Sequence, residues 1–292
     1  MPIIHFLNVN EGDCIAIEHY SGRKTIIDVC NAKPSNYLIE AFFAQKALAD
    51  LGISGNFNQK KYPVNPISYF RERGWSSVFR FILTHPDMDH MNGIKAFFEE
   101  FNPINFWDSD NKKEVNKDSW EGSPYSEEDW NYYKNIRDND PATDPKRLVL
   151  YSGSRGKYYN EGEDGTGGGD GLHILAPTKE LVDNANKADE DYNRCSYVIL
   201  YRTGNHKIVF GGDSHDDTWE HILSEHKASV TNVDILIAPH HGRKSKRSYE
   251  FLNVLVTFKS VYMVSNLIKT RSLSMVRVHQ QKPGERDRDG TR

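Results

Sequence analysis

Short apolar runs bounded by turn residues alternate with amphipathic segments along most of the chain. The runs, rich in Ile, Val and Leu, have the length and composition of strands, and the amphipathic segments have the spacing of helices. We predict strands at 3–9, 14–18, 24–28, 78–83, 104–107, 147–151, 172–177, 197–201, 207–213, 233–239 and 260–265, and helices at 35–51, 66–74, 94–101, 127–137, 216–226 and 249–255. The pattern therefore predicts a protein that mixes α-helices with β-strands.

Two segments depart from this pattern. Residues 108–146 are polar but rich in Trp and Tyr, and we interpret them as an insertion. Its aromatic side chains would suit stacking on nucleic-acid bases, but packing onto the domain is the commoner use of such large side chains. Residues 160–171 are rich in glycine and acidic residues, which favours a flexible hairpin tip.

Composition limits the class of protein. The chain has 292 residues, enough for one large domain or two small ones, and its net charge of −4 gives no general attraction to polyanions. Cys14, Cys30 and Cys195 lie far apart, as expected for reduced thiols of a cytosolic protein. No apolar run approaches the ~20 residues of a membrane span, and a strand begins where a secretory signal would stand. We expect a cytoplasmic protein without a membrane partner, and the composition does not predict an oligomeric state.

Four potential metal ligands follow the strand at 78–83. His85, Asp87, Asp89 and His90 fall on the loop between this strand and the helix at 94–101. Imidazole and carboxylate groups at this density suit Zn²⁺, Mn²⁺ or Fe, and alternate positions on a tight loop can face two neighbouring metal ions. A charged surface turn is the alternative, but it would not require this spacing. The loop therefore predicts a metal site.

These residues resemble a known family. His85-Pro-Asp87-Met-Asp89-His90 is similar to the H-x-[HD]-x-D-H signature of the metallo-β-lactamase superfamily. The surrounding sequence is closest to the soluble branch related to the metallo-β-lactamase domain of bacterial competence DNA-uptake channels. Further matches follow in the family's order: Ile26-Ile27-Asp28, Gly-Gly-Asp213 and Pro239-His240-His241-Gly242.

The resemblance implies a fold and a domain organisation. It covers residues 3–265 and implies an α+β protein with the four-layer αββα sandwich of the metallo-β-lactamase fold. We assign residues 1–266 to this domain, with the insertion at 108–146 placed over the mouth of the site. Residues 267–292 depart from the family and have the composition of an irregular, disordered tail.

The resemblance also implies roles for the site residues and a cofactor of two divalent metal ions, Zn²⁺ or Mn²⁺. The implied ligands are His85 and Asp87 for one ion, Asp89, His90 and His240 for the other, and Asp213 as the bridge. Asp89 would also accept a proton from the attacking water, and His241 would face the substrate or support the site. Asp28 would support the metal loop by hydrogen bonds. Asp87 stands where a second His is commoner, and its harder oxygen favours Mn²⁺ relative to an all-His site.

Substrate contacts are expected on two segments. Asn193 and Ser196 match an Asn-x-x-Ser pattern of the competence-type branch, where many relatives carry a further His. Arg243-Lys244-Ser-Lys-Arg247 places four cations directly after the His pair, which suits a phosphate group but is equally typical of a solvated helix start. We predict a phosphodiesterase or nuclease acting on DNA or nucleotides. Hydrolysis of a small ester, thioester or lactam and a metal-binding module without turnover stay open as alternatives.

Overall fold

The computed structural model describes residues 2–9, 11–34, 63–139, 144–243, 247–255 and 260–262. The predicted helix at 35–51 and the tail at 267–292 lie outside these residues. The strands are β1 (Ile3–Phe6), β2 (Ile15–Glu18), β3 (Lys24–Ile27), β4 (Arg80–Ile82), β5 (Asn105–Asp108), β6 (Lys146–Val149), β7 (Leu172–Ala176), β8 (Val198–Thr203), β9 (His206–Phe210), β10 (Ile235–Ile237) and β11 (Ser260–Tyr262). The α-helices are α1 (Pro66–Glu72), α2 (Ile94–Phe101), α3 (Glu127–Asp138), α4 (Lys179–Ala188), α5 (Asp216–Glu225) and α6 (Lys227–Val230).

The strands of the described residues form two sheets. One sheet has the order β1-β2-β3-β4-β5-β6, and the other has the order β11-β10-β9-β8-β7. In the first sheet β1, β2 and β3 are antiparallel, and the pairs from β3 to β6 are parallel. In the second sheet β7, β8 and β9 are antiparallel, and β9, β10 and β11 are parallel. Each sheet therefore has a parallel half whose strands end at a common edge.

The two sheets pack face to face. Ile17, Ile27 and Trp107 of the first sheet lie in one buried cluster with Ile199 and Phe210 of the second. Alternate residues of a strand point to opposite faces, so the remaining apolar residues of each strand face outward. The buried area between the sheets is the central layer of the core.

Helices cover both outer faces. Phe81 and Phe106 on the outer face of the first sheet pack against Phe98 of α2 and Tyr133 of α3. On the second sheet, the outward-facing residues of β8, β9 and β10 pack against Trp219 and other apolar residues of α5 and α6. The predicted αββα sandwich is therefore confirmed. No helix in the described ranges combines the length and apolar character needed to cross a membrane.

The predicted insertion joins β5 to β6 and carries α3. Trp130 and Tyr133 on this helix are buried against the domain, which confirms the packing interpretation of its aromatic residues. Asp129 accepts hydrogen bonds from the backbone N–H groups of Gly93 and Lys95 at 2.9 and 3.2 Å. A carboxylate at this position satisfies unpaired N–H groups at the start of α2 and suits the helix dipole. The insertion thus fixes the helix that follows the metal loop.

The segment at 160–171, predicted as a flexible hairpin tip, is fixed at Asp170. Asp170 is buried and accepts hydrogen bonds from Arg23 at 2.9 Å and from Arg80 at 3.2 Å. Arg80 lies on β4 and is itself buried. The prediction of a flexible hairpin tip is therefore wrong for Asp170, because this carboxylate is the partner that makes burial of the Arg80 guanidinium possible.

Candidate metal centre

The candidate site lies where parallel strands of both sheets end. Asp28 follows β3 directly, and His85 comes shortly after the neighbouring strand β4. In the second sheet Asp213 comes shortly after β9, and His241 comes after the neighbouring strand β10. The carboxyl ends of parallel strands meet at one edge of a sheet, where open α/β sheets commonly bind ligands. The packing of two such edges brings all four side chains together.

The metal loop folds tightly against the turn between β1 and β2. Residues Met88–His90 form a single 3-10 turn. The backbone of Gly12 lies so close that a Cβ atom there would stand 1.6 Å from the carbonyl oxygen of Asp89. Gly12 also has a φ of +62°, which favours glycine. The Glu11-Gly12-Asp13 turn therefore requires glycine to pack on the loop.

Hydrogen bonds fix the tautomer of His85. The Thr84 hydroxyl lies 2.6 Å from Oδ2 of Asp28, an acceptor, so the hydroxyl donates its hydrogen there. His85 Nδ1, 3.1 Å from the same hydroxyl oxygen, must then be the donor of that contact. Nε2 of His85 consequently carries a lone pair. This Nε2 is buried and has no hydrogen-bond partner among the described residues.

His90 and His241 are oriented in the same way. Nδ1 of His90 lies 2.8 Å from Oδ2 of Asp28, and Nδ1 of His241 lies 3.2 Å from Oδ1 of Asp13. Both imidazoles therefore donate from Nδ1 to a carboxylate, which leaves the Nε2 lone pairs facing inward. The two Nε2 atoms are 3.3 Å apart. Two lone pairs at this distance repel each other unless a cation lies between them.

Carboxylate oxygens complete the cluster. Oδ1 of Asp213 is buried without a hydrogen-bond partner in the described part of the chain, and it lies 3.5 Å from Nε2 of both His90 and His241. Oδ2 of Asp89 lies 3.8 Å from Nε2 of His241 and 4.0 Å from Nε2 of His90. Ligands about 2.1 Å from a tetrahedral Zn²⁺ are roughly 3.4 Å apart. The unpaired atoms and their spacing therefore fit a bound divalent metal.

The described residues contain three groups of potential ligands, and the ligand atoms within each group lie within 4.8 Å of one another. The groups are His85 with His90 and Asp213, Asp89 with His90 and His241, and Asp13 with Asp28 and His90. The carboxylates of the third group already accept hydrogen bonds from imidazole Nδ1 atoms, so we interpret them as supporting residues. The first two groups share His90, whose single Nε2 lone pair can bind one ion, so a second ion would need Asp213 as the shared ligand.

The electrostatics of the cluster favour a cation. Burial alone would lower the pKa of His90, but nearby carboxylates, chiefly Asp28, raise it well above its ordinary value. Burial is likewise outweighed at His241, whose pKa is raised chiefly by Asp13. The pKa of Asp213 is lowered although burial opposes this, because imidazoles surround its carboxylate. The carboxylates thus create a negative potential that a proton or a metal ion can neutralise.

The two adjacent histidines lie in different surroundings. His241 is buried and joins the cluster, whereas the His240 side chain is 22% exposed with Nε2 3.7 Å from Oδ2 of Asp213. Arg247 donates to Nδ1 of His240, so neutral His240 carries its hydrogen on Nε2. Burial, with a contribution from the Arg247 charge, lowers the pKa of His240 to about 4. This geometry favours His241 as the ligand in place of the predicted His240.

The different positions of the two imidazoles follow from the backbone conformation. His240 and His241 have φ values of +53° and +56°, two successive left-handed residues after Pro239. This turn directs the second imidazole back toward Asp13. Left-handed conformations of non-glycine residues cost free energy and cluster at functional sites.

Asp87 stands at the solvent side of the cluster. Its side chain is 34% exposed, with Oδ2 3.6 Å from Nε2 of His85 and Oδ1 2.5 Å from Nζ of Lys113. Burial would raise the pKa of Asp87, but the charges and hydrogen bonds of His85 and Lys113 hold it well below its usual range. Asp87 is therefore ionised and available beside His85, as the predicted first ligand pair requires.

The remaining predicted residues divide between support and substrate contact. Ser196 is fully buried, and its Oγ accepts a hydrogen bond from the backbone N–H of Asp213 at 3.1 Å. The substrate contact of Ser196 stays a prediction, and in the structure its side chain positions Asp213. Asn193 lines a cavity next to Asp87. Arg243 is exposed, and Lys244 lies outside the described residues.

A cavity lies between Asp87, the insertion and the segment that follows α4. It has a volume of about 270 Å³ and is lined by Asp87, Lys113, Glu114, Asp189, Glu190, Asp191, Tyr192 and Asn193. The lining is polar and mostly acidic. It is therefore neither the basic groove expected for a nucleic acid nor a narrow apolar pocket.

Three supporting residues were not predicted from the sequence. Asp13 orients His241, Thr84 orients His85, and Lys113 contacts Asp87. Thr84 directly precedes the predicted ligand His85, and Asp13 lies in the turn between the predicted strands at 3–9 and 14–18. Lys113 lies in the insertion, and no sequence pattern links it to Asp87.

Comparisons with known proteins find only remote structural similarity. No protein family model and no curated protein matches the chain. The metallo-β-lactamase SMB-1 is 13% identical with a TM-score of 0.40, over 82% of this chain and 79% of that one. A diphosphatase of the PhnP family is 12% identical with a TM-score of 0.38, over 89% and 85%. CmlA, a diiron β-hydroxylase from Streptomyces venezuelae, is 12% identical with a TM-score of 0.38, over 80% and 33%.

Similarities this low transfer no activity from these proteins to the chain. The αββα layers and a site at the strand ends are those predicted for the metallo-β-lactamase fold. The narrower resemblance to the competence branch stays a prediction.

Proposed function

We propose that the protein is a metal-dependent hydrolase with a centre of two divalent ions, Zn²⁺ or Mn²⁺, and that its substrate contains a phosphodiester bond, in DNA or a nucleotide. The observation that carries the proposal is the convergence of three buried imidazole lone pairs, those of His85, His90 and His241, on the unpaired Oδ1 of Asp213. Such an arrangement is unfavourable without a bound cation.

The residues divide into two ligand sets. His85 and Asp87 would hold one ion, Asp89, His90 and His241 would hold the other, and Asp213 would lie between them. When bound, two such ions supply an activated water nucleophile and stabilise the charge that develops on the scissile group. Thr84, Asp28 and Asp13 keep the imidazoles in the tautomer that this chemistry needs.

Asp89 would accept a proton, and His240 would face the substrate. The Asp89 side chain is 21% exposed, so one oxygen can face the ligand cluster while the other accepts a proton from the attacking water. His240 presents an Nε2–H group at the exposed side of Asp213. It therefore takes over the substrate-facing role expected of the buried His241.

The choice of a phosphodiester rests on the cationic segment after the His pair. Arg243 is exposed. Arg247 donates hydrogen bonds to the backbone carbonyls of Asp213 and Ser214 at 2.8 and 2.9 Å. An arginine near a centre of two ions suits an anionic phosphoryl group.

The alternative is hydrolysis of a small ester, thioester or lactam. The cavity next to Asp87 leaves it open, because the mostly acidic lining does not suit a polyanion. The same centre could perform either reaction.

Hydrolysis assays with purified, metal-loaded protein test the proposal. The substrates are plasmid DNA, single-stranded DNA, bis(p-nitrophenyl) phosphate, p-nitrophenyl acetate and a chromogenic lactam, each with Zn²⁺, Mn²⁺ and Mg²⁺. Cleavage of DNA or the phosphodiester, absent from Asp213→Asn, would support the proposal. Cleavage of the ester or lactam alone would establish the alternative. Bound metal without turnover of any substrate would identify a non-catalytic module.

A further inference from the structure

Lys113 reaches the metal centre from the insertion between β5 and β6. Its Nζ lies 2.5 Å from Oδ1 of Asp87, and its side chain is 24% exposed. The backbone of Lys113 is fixed, because its carbonyl oxygen accepts a hydrogen bond at 2.7 Å from the buried Arg137 of α3. The ammonium group is thus presented by an anchored segment.

The contact with Lys113 leaves one carboxylate oxygen of Asp87 directed at the candidate metal ligands. Oδ1 faces Lys113, whereas Oδ2 lies 3.6 Å from Nε2 of His85. The unpaired His85 Nε2 and Oδ2 of Asp87 would be the two ligand atoms of the first ion. Lys113 and this ion can therefore contact Asp87 at the same time, through different oxygens.

Each of the three ligand imidazoles has a hydrogen-bonding partner that orients it. His85 has Thr84, His90 has Asp28, and His241 has Asp13. Asp87 is more exposed than these imidazoles, and a flexible carboxylate loses side-chain entropy when it binds a metal ion. Lys113 occupies the equivalent supporting position for Asp87.

We infer that Lys113 is a positioning residue of the first metal site, which holds Asp87 in its ligand geometry and makes occupancy of that site depend on the insertion. The inference rests on the metal centre of the proposed function. Lys113 suits an aspartate at position 87, because an ammonium group can pair with a carboxylate ligand but would be repelled by a histidine ligand bound to a cation. Asp87 and Lys113 thus form a matched pair.

Metal titration of variants tests the inference without relying on turnover. Zn²⁺ binding is measured by competition with a chromophoric chelator in wild type, Lys113→Met, Lys113→Arg and Lys112→Met. Lys112→Met is the matched control, since Lys112 is exposed and pairs with Asp110 at 3.2 Å. Loss of a residue that supports a ligand typically weakens metal binding by about 10- to 100-fold. We expect this loss at one of two sites in Lys113→Met, partial recovery in Lys113→Arg and wild-type binding in Lys112→Met.

A second pair of variants separates positioning from general electrostatics. In the Asp87→His background, Lys113→Met should leave Zn²⁺ affinity unchanged or increase it, because the carboxylate that needs the ammonium is gone. Unchanged or tighter binding by Lys113→Met in the otherwise wild-type chain would overturn the inference, as would a wild-type protein that binds fewer than two ions. Two bound ions without hydrolysis would instead overturn only the proposed function.

Discussion

Nε2 of His90 lies 3.3 Å from Nε2 of His241, a distance that is favourable only if a proton or a metal ion lies between the two nitrogens. The hydrogens of the two rings are held on Nδ1 by Asp28 and Asp13. The two histidines belong to different halves of the chain, one following β4 and the other following β10. The fold therefore brings together two groups that repel each other in the absence of a cation. This relationship is the physical basis of the proposed metal centre.

Substitution of the adjacent histidines distinguishes their roles. His241→Ala removes an inward-facing lone pair, so we expect Zn²⁺ binding to weaken by more than the about 10- to 100-fold typical of losing a supporting residue. His240→Ala should retain both ions, since neutral His240 carries a hydrogen on the Nε2 that faces Asp213. Metal titration of both variants measures the difference. Equal losses of metal would contradict the assignment, and a larger loss in His240→Ala would restore the one predicted from the sequence.

The close approach of Gly12 to the metal loop predicts a position-specific effect. Gly12→Ala would place a methyl group 1.6 Å from the Asp89 carbonyl oxygen, so the loop must move and metal binding should be lost. Gly22→Ala is a matched control, because Gly22 also has a positive φ, +82°, but no atom lies within 4 Å of its added Cβ. We expect the control to lose about 1 kcal/mol of stability and keep its metal. Metal content and urea unfolding of the two variants check this, and retained metal in Gly12→Ala would refute it.

The metal loop could be predicted from its cluster of ligands after an apolar run, and the family resemblance implied the roles of Asp28 and Asp213. Asp28, His85 and Asp213 all stand where a predicted strand ends, and the edge geometry of parallel strands brings such residues together. The choice between His240 and His241 could not be predicted. It depends on two left-handed backbone conformations, and neighbouring residues in a sequence give no indication of which side chain turns inward.

Contacts made by the irregular segments were also beyond prediction. Lys113 lies in an insertion that α3 anchors, and Asp170 pairs with Arg80, which lies 90 residues earlier in the chain. Such pairs depend on tertiary packing, and the local sequence around Asp170 suggested a solvated loop. The mixture of helices and strands was predictable from apolar spacing, and the αββα layers from the family resemblance, whereas the supporting ion pairs were visible only in the structure.

The buried pair of Asp170 and Arg80 predicts a pH-dependent contribution to stability. Burial would raise the pKa of Asp170, but the Arg23, Ser21 and Arg80 interactions lower it below its ordinary value. The ionised carboxylate therefore stabilises the fold above the unfolded-state pKa of about 4, and this contribution is lost as the pH falls through the lower folded-state pKa.

Asp170→Asn should accordingly lower the free energy of unfolding by about 3 kcal/mol near neutral pH, because it leaves a buried guanidinium without its partner. The difference from wild type should narrow as the solution is acidified. Asp164→Asn, an exposed change in the same segment, should have little effect at any pH. Urea unfolding across a pH series measures both variants, and a constant difference for Asp170→Asn would argue against an ionised carboxylate.

The metal content of wild type and Asp213→Asn shows whether the cluster binds two ions. It is measured by plasma mass spectrometry after equilibration with Zn²⁺ or Mn²⁺ and removal of free metal. The variant removes the carboxylate between the two ligand sets while conserving the size of the side chain. We predict two ions per wild-type chain and fewer than one in the variant, with an unchanged circular dichroism spectrum. A wild-type protein without stoichiometric metal, or a variant that retains both ions, would contradict the proposed centre.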